Sequence, residues 1–488
     1  MAITSSICAI VLEQTERTRQ SSKADIERLI DQTQLKIASL RSQIERERAI
    51  AAALRYIISP VRALPVELLA EIFVLAIRDR THITDVLRLS QVCSDWRQVA
   101  HATPRLWTGL IRVNLDNESG SLKEAYADGL KAWLARSLPH PVPISFMACP
   151  PKDTYCRILA EILKTSPRWG SADLRYAPLW LINRVAECRL DNLEELSLGT
   201  IGPNTSHLDP LCFTGAPRLR KLGVKFHSND PQILMPWAQL TDITIDSSSH
   251  DIALDILVQC TDLIRASLCI PGWHELPEAE RDIHVLSRLR TLSFALFGSA
   301  GKVSPFFDCI SAPALEELCL HFDDMENDVD WKAAHLPTFQ VRAPHLARLD
   351  LRYATLRGDD LIDVLHYAPA LTHLKLFCCW DCFDDIAVGA LHYKEGVRPL
   401  VPHLHNLILE HTGEMFTPGV LADMITSRWA GAELATPPAV AHWTLVRVKD
   451  DHTKHFADVM EVLHRKGLPI ELLNRSGNNQ FAPAPSNS

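Results

Sequence analysis

Several kinds of protein are excluded by what this 488-residue chain lacks. It has no excess of positive charge: 50 Lys and Arg stand against 59 Asp and Glu, a net charge of −9, so a nucleic-acid-binding surface is not expected. The early apolar stretch Ile7 to Leu12 has no cation before it and is closed by Glu13, which fits neither a signal peptide nor a membrane span. The 13 cysteines are odd in number and scattered, without the regular spacing of a disulfide framework, and read as reduced thiols of a cytoplasmic or nuclear protein.

Catalytic and metal-binding patterns are missing too. No Gly-x-Ser-x-Gly elbow or His-Glu-x-x-His pair orders the abundant Ser, His and Asp residues. Gly298 to Lys302 has too short a glycine spacing for a phosphate loop. The acidic run Asp323 to Asp330 lacks the glycine and distal glutamate of a calcium loop. Cys379 and Cys382 form a C-x-x-C with no second pair at finger spacing, so buried structural thiols are expected rather than zinc ligands. No cofactor, no metal and no catalytic residue is expected; the chain reads as a non-enzyme.

Glycine and proline are absent from Lys23 to Ser59, a segment rich in Glu, Arg, Gln, Ala and Leu. That is the composition of a long exposed helix. Ile30, Ile37, Ile44, Ala51 and Ile58 recur every seven residues, with Ile26, Thr33, Leu40, Glu47 and Leu54 in the companion positions. This is a coiled-coil seam with polar defects at Thr33 and Glu47. It predicts either a homodimer through residues 23–59 or a single helix folded back on its own domain.

Pro60 ends that helix. Leu68, Leu69, Ile72, Phe73 and Ala76 then recur at helical spacing, and Val86, Leu89, Val92, Cys93 and Trp96 repeat the pattern. Helices this short must dock their apolar surface on the rest of the chain or on a partner.

The segment Leu64-Pro65-x-Glu67-Leu68-Leu69-x-x-Ile72-Phe73, then Leu87-x-Leu89-Ser90-x-Val92-Cys93-x-x-Trp96-Arg97, closing on Pro104-x-Leu106-Trp107, resembles an F-box. The resemblance implies docking on a Skp-type adaptor. Its adaptor-facing set would be Leu64, Pro65, Glu67, Leu68, Ile72, Phe73, Leu89, Val92, Cys93, Trp96, Leu106 and Trp107, some of which must instead fill the small helical core. The link Arg78 to Ile83 departs from the family's shorter, proline-containing one.

Downstream, one pattern recurs: L-x-x-L-x-L, or a close variant, begins at Leu193, Leu219, Leu240, Leu289, Leu315, Leu346, Leu371 and Leu404, with a degenerate copy at Leu263. Starts lie 21 to 33 residues apart. The array resembles leucine-rich repeats, although of the positions where that family usually places Asn or Cys only Cys379 fits. The bland alternative is one α/β domain whose strands share a leucine pattern. In a repeat array no copy buries its leucines alone, so stacking into a solenoid is obligatory.

The expected fold class is α/β, with a flexible N-terminus at 1–22, a long helix at 23–59, the F-box at 60–110, a linker strand and helix at 111–141, an irregular solenoid at 142–473 and a disordered tail at 474–488. An F-box followed by such repeats resembles the substrate receptors of cullin-RING ubiquitin ligases, in which the repeats capture the protein to be modified. The alternative is a scaffold that uses its F-box and coiled coil without delivering a substrate. Strand alternation puts Glu195, Ser197, Thr291, Ser293 and Ala295 on the concave side, followed by a cation-rich group of Arg348, Asp350, Arg352, His373, Lys375 and Phe377. That group is the candidate substrate surface, suited to an acidic or phosphorylated segment.

Overall fold

The structure is a computed structural model that describes residues 23–77, 82–114, 120–148, 157–199, 211–226, 233–247, 249–271, 283–297, 304–322, 335–380, 382–413, 415–434, 439–450 and 454–476. The expectations for 1–22, most of the Arg78–Ile83 link, Gly298–Lys302, the acidic run at 323–330 and the tail from 477 lie outside the described residues. The chain divides into two compact units, Met1–Leu106 and Trp107–Ser488.

In the first unit, helix α1 (Lys23–Ile57) runs for 35 residues and is exposed along nearly its whole length, with an ion pair from Arg48 to Glu45 one turn back. Three short helices follow: α2 (Val66–Ala76), α3 (His82–Val92) and α4 (Ser94–Ala102). Their shared core is small. Leu69, Phe73, Val86, Val99, Ala100 and Leu106 are buried.

The second unit is built on one sheet of 14 strands in strict sequence order, every pair parallel. The strands are β1 (Ile111–Asn114), β2 (Val142–Ala148), β3 (Trp169–Leu174), β4 (Glu195–Leu198), β5 (Lys221–Phe226), β6 (Asp242–Ser247) and β7 (Arg265–Pro271). They continue as β8 (Thr291–Phe297), β9 (Glu317–Phe322), β10 (Arg348–Arg352), β11 (His373–Phe377), β12 (Asn406–Glu410), β13 (Leu445–Lys449) and β14 (Ile470–Leu473). Each strand of this sheet lies beside the one before it in the chain, which is a leucine-rich-repeat-like arrangement. All nine leucine-patterned copies form strands of this sheet, the degenerate copy at Leu263 included, as β7.

The sheet also exceeds the pattern that announced it. Ile111–Asn114, expected as a linker strand, is its first strand, and Gly120–Arg136 is the helix that crosses to the second. At the other end β13 and β14 extend it without the leucine signature.

Side-chain alternation sets the packing. In β10, β11 and β12 the residues alternate between half-buried or exposed and fully buried, with Leu349, Leu351, Leu374, Leu376, Leu407 and Leu409 all inward. Burying each such leucine contributes roughly 1.5–3 kcal/mol relative to leaving it in water. Helices such as Gly358–His366 cover them; there the Asp360 carboxylate accepts the backbone N–H of Arg357 at 3.1 Å and so caps the first turn.

Two residues show how irregular repeats close. Gly199 follows β4 where a Cβ would collide with the Arg175 backbone carbonyl, so only glycine lets the two turns approach. Arg428 is fully buried; its guanidinium donates to the carbonyl oxygens of Val401 at 2.9 Å, Leu400 at 3.1 Å, Leu391 at 3.3 Å and Leu404 at 3.4 Å. It also lies 5.4 Å from the Trp443 ring, and burial pushes its pKa down to about 10. One cation thus reaches four backbone acceptors of a long connection, of which only Val401 has another backbone donor, the Leu404 N–H at 3.1 Å.

Candidate functional site

The helical segment of the first unit sorts its apolar residues by face. Pro65 precedes α2 with φ −55° and ψ 147°, and its carbonyl accepts the first helical bond, from Leu69 N–H at 3.1 Å. Proline is tolerated there because a first-turn N–H has no partner anyway. From Val66 onward Leu69 and Phe73 point inward, and Phe73 meets Trp96 with ring centroids 4.8 Å apart. One position earlier along each turn, Leu68 and Ile72 point outward; Leu75, 83% exposed, completes an i, i+4, i+7 stripe.

The other helices hold this arrangement. Cys93 caps α4, its Sγ accepting the Trp96 backbone N–H at 3.4 Å, and Arg97 Nε donates to the Ser90 carbonyl at 3.0 Å. Val86 is fully buried, whereas Leu87 and Val92 are exposed. Arg105 pairs with Glu71 at 2.6 Å on the surface.

Of the twelve residues assigned to an adaptor face, the structure withdraws three. Phe73, Leu106 and Trp107 are each 1% exposed and belong to the core. Trp107 belongs to the second unit, where it packs edge-on against Trp133 at 4.8 Å under the Arg136 guanidinium. Pro65, Glu67, Leu68, Ile72 and Val92 are exposed, and Leu64, Leu89, Cys93 and Trp96 are half-buried. Val66, Leu75 and Leu87, outside that set, are exposed as well. The spacing of Leu68, Ile72 and Leu75 was the available signal, hidden because inward and outward residues alternate within one apolar run.

On the second unit the expected cation cluster is largely neutralised. Arg352 forms a two-nitrogen ion pair with Asp350, its neighbour on the same strand face, at 2.7 Å and 3.1 Å. Lys375 pairs with Glu410 of the next strand at 3.0 Å. Arg348 is exposed at the start of β10. His373 takes a hydrogen bond with the Thr372 hydroxyl at 2.8 Å and meets the His405 ring at 5.0 Å; burial, then His405 and Arg348, hold its pKa below the usual histidine range.

Between these pairs lies a row that the charge pattern did not announce. His321 stacks on Tyr353 at 5.4 Å, Tyr353 meets Phe377 edge-on at 5.3 Å, and Phe377 meets His411 edge-on at 5.7 Å. Tyr353 and His411 follow the last residues of β10 and β12 with φ of 55° each, a left-handed turn that lets the ring sit across the strand ends. The row therefore spans four consecutive strands, β9 to β12.

A second concavity of about 890 Å³ lies on the early strands, lined among others by Arg175, Tyr176, Lys221, Asp242, Arg265 and Ser293. Several of its charges are paired: Arg265 to Asp242, Lys225 to Asp246 at 2.7 Å, and Arg175 to Asp173 at 2.8 Å, which holds the Asp173 carboxyl below its ordinary range. The described cysteines are free thiols; Cys379 donates to the Leu351 and Phe377 carbonyls and Cys382 to that of Cys379. Among the described residues no group of three or more His, Cys, Asp or Glu is arranged to hold a metal ion, and no helix is long and apolar enough to cross a membrane.

Residues 61–112 match the F-box-like family model. No curated protein matches the chain. Among solved structures, the leucine-rich repeat-containing protein LegL7 from Legionella pneumophila aligns over 78% of this chain and 94% of its own, at 13% identity and a TM-score of 0.28. The chain thus carries an F-box-like domain at residues 61–112, a type of module that generally mediates protein interaction without catalysis, followed by a leucine-rich-repeat-like parallel sheet.

Proposed function

We propose that this protein is the substrate-receptor subunit of a Skp–cullin–F-box ubiquitin ligase. Its F-box-like domain docks a Skp-type adaptor, and through it a cullin-RING ligase, while the outward face of the sheet captures a protein substrate. The observation that carries this reading is the stripe Leu68, Ile72 and Leu75 on α2, whose opposite face already fills the local core. Three large apolar side chains on an 11-residue helix have no internal use and fit a docking partner.

The adaptor-binding set is then Leu64, Pro65, Val66, Glu67, Leu68, Ile72, Leu75, Leu89, Val92, Cys93 and Trp96. Such a receptor supplies no reacting group. It raises the local concentration of substrate lysines beside a charged conjugating enzyme. Free thiols accord with a reducing cytoplasmic or nuclear setting. The exposed seam of α1 supports reading residues 23–59 as a homodimerisation helix.

For capture, the row His321, Tyr353, Phe377 and His411 is the surface, flanked by Arg348, His373 and the ion pairs Asp350–Arg352 and Lys375–Glu410. Because those pairs already neutralise the nearby cations, recognition runs through ring contacts more than through excess positive charge. The test is affinity purification of the wild type beside a Leu68→Ala, Ile72→Ala variant and a Tyr353→Ala, Phe377→Ala variant. The first variant should lose the adaptor and keep other partners, and the second the reverse. An adaptor that stays bound in the first would refute the docking face. Partners whose abundance is unchanged by a proteasome block would favour a scaffold over a ligase receptor.

A further inference from the structure

Helix α1 leaves its seam uncovered: Ile30, Ile37, Leu40, Ile44 and Leu54 are each 45% or more exposed. We propose that a second copy of this chain covers it, and that the two α1 helices run antiparallel. The inference rests on the reading of residues 23–59 as a homodimerisation helix and adds its direction, which the positions of its charges decide.

In a parallel pair, identical seam residues face each other. Glu47 would meet Glu47 of the second copy inside the seam, placing two carboxylates in a desolvated layer. At the edges, Lys36 would oppose Arg41 twice, and the apolar edge residues Leu29 and Ile50 would face Gln34 and Arg55. Every one of these contacts is unfavourable or wasted.

An antiparallel pair centred between Ala38 and Ser39 removes all of them. Its layers set Ile37 against Leu40, Ile44 against Thr33, Ile30 against Glu47 and Ala51 against Ile26. The Thr33 hydroxyl already donates to the Leu29 carbonyl of its own helix at 2.7 Å, so it enters an apolar layer without an unpaired donor. The stem of Glu47 can cover Ile30 while its carboxylate reaches water at the rim. At the edges, Glu27 meets Arg48 of the second copy twice, Leu29 meets Ile50 twice, and Lys36 meets uncharged Gln43.

The register is specified as well as the direction. Sliding the pair by one heptad brings Arg41 against Arg41 one way, or Lys36 against Lys36 the other. With 1.5 Å of rise per residue the two Ile57 ends lie about 55 Å apart along the pair. The F-box-like domains therefore leave from opposite ends, and a dimeric receptor holds its two adaptor-docking helices apart instead of side by side.

The experiment uses the full chain with a photo-crosslinking amino acid in place of Gln34. Sedimentation equilibrium gives the stoichiometry, and mass spectrometry maps the crosslinked peptide. The proposal expects a dimer crosslinked near Arg41; a dimer crosslinked near Leu29 overturns the direction alone. A monomer overturns the dimerisation helix and the direction together. Because the label itself could weaken pairing, a second measurement uses charge reversal in the unlabelled chain. Glu27→Lys should raise the dimer dissociation constant several-fold and Arg48→Glu in the same chain should restore it. Across a parallel pair Arg48 faces uncharged Gln43, its own-helix partner Glu45 apart, and a dissociation constant that Glu27→Lys leaves unchanged, or that Arg48→Glu fails to restore, would overturn the proposal.

Discussion

Phe73 packs against Trp96 with ring centroids 4.8 Å apart, and this one contact decides which side of α2 is available to a partner. With Phe73 held inward, Leu68, Ile72 and Leu75 can only point out. Truncating Phe73→Ala should therefore cost about 3–5 kcal/mol of folding stability, as for other buried aromatics. Leu68→Ala should stay within roughly 0.5–1 kcal/mol of wild type, because an exposed side chain leaves no cavity. Chemical denaturation of the two variants reads the difference.

The solenoid makes a similar contrast within three residues. Leu374 is buried in the middle of the sheet and Lys375, its neighbour, lies on the opposite face paired with Glu410. Leu374→Ala is expected to lose about 2–5 kcal/mol, and Lys375→Ala less than ~1 kcal/mol, since a partly exposed ion pair contributes little. Thermal unfolding followed by circular dichroism checks both.

Arg428 should be among the most sensitive positions of the second unit. Arg428→Met keeps much of the side-chain volume but leaves the carbonyl oxygens of Leu391, Leu400 and Leu404 without their donor, whereas that of Val401 keeps the Leu404 backbone N–H. Each buried acceptor left unpaired costs about 1–3 kcal/mol before relaxation or water entry. Hydrogen exchange around residues 391–404 should accelerate in this variant; exchange rates equal to wild type would remove the clamp from the account.

His373 gives a pH dependence with a definite sign. Its folded pKa is held below 6.5, so between those values the unfolded chain binds the extra proton. Stability is complete above pH 6.5 and falls as the pH drops toward the folded pKa. An NMR titration should place the His373 midpoint below 6.5, and His373→Gln should flatten the acid limb of the melting-temperature profile.

Much of this was legible in the sequence, for physical reasons. The period of two in L-x-L and the heptad period of α1 are direct consequences of strand and helix geometry, so both elements could be placed by position. The faces of α2 were not legible, because Leu68-Leu69 and Ile72-Phe73 are adjacent apolar pairs and only packing tells inward from outward. The cation cluster of β10 and β11 misled for another reason. Alternation put Arg352 and Lys375 on the right face, but pairing with Asp350 and Glu410 is a tertiary fact. Tyr353 and His411 escaped notice since they lie past the strand ends and reach the face only through left-handed turns.

The most direct test of the account is the affinity of the purified full chain for a Skp-type adaptor, measured by calorimetry for wild type and for Leu68→Ala, Ile72→Ala, Leu75→Ala. The account predicts binding by the wild type and its loss in the variant, with the melting temperature of the variant nearly unchanged. Adaptor binding of equal affinity in both proteins, or none in either, would contradict it.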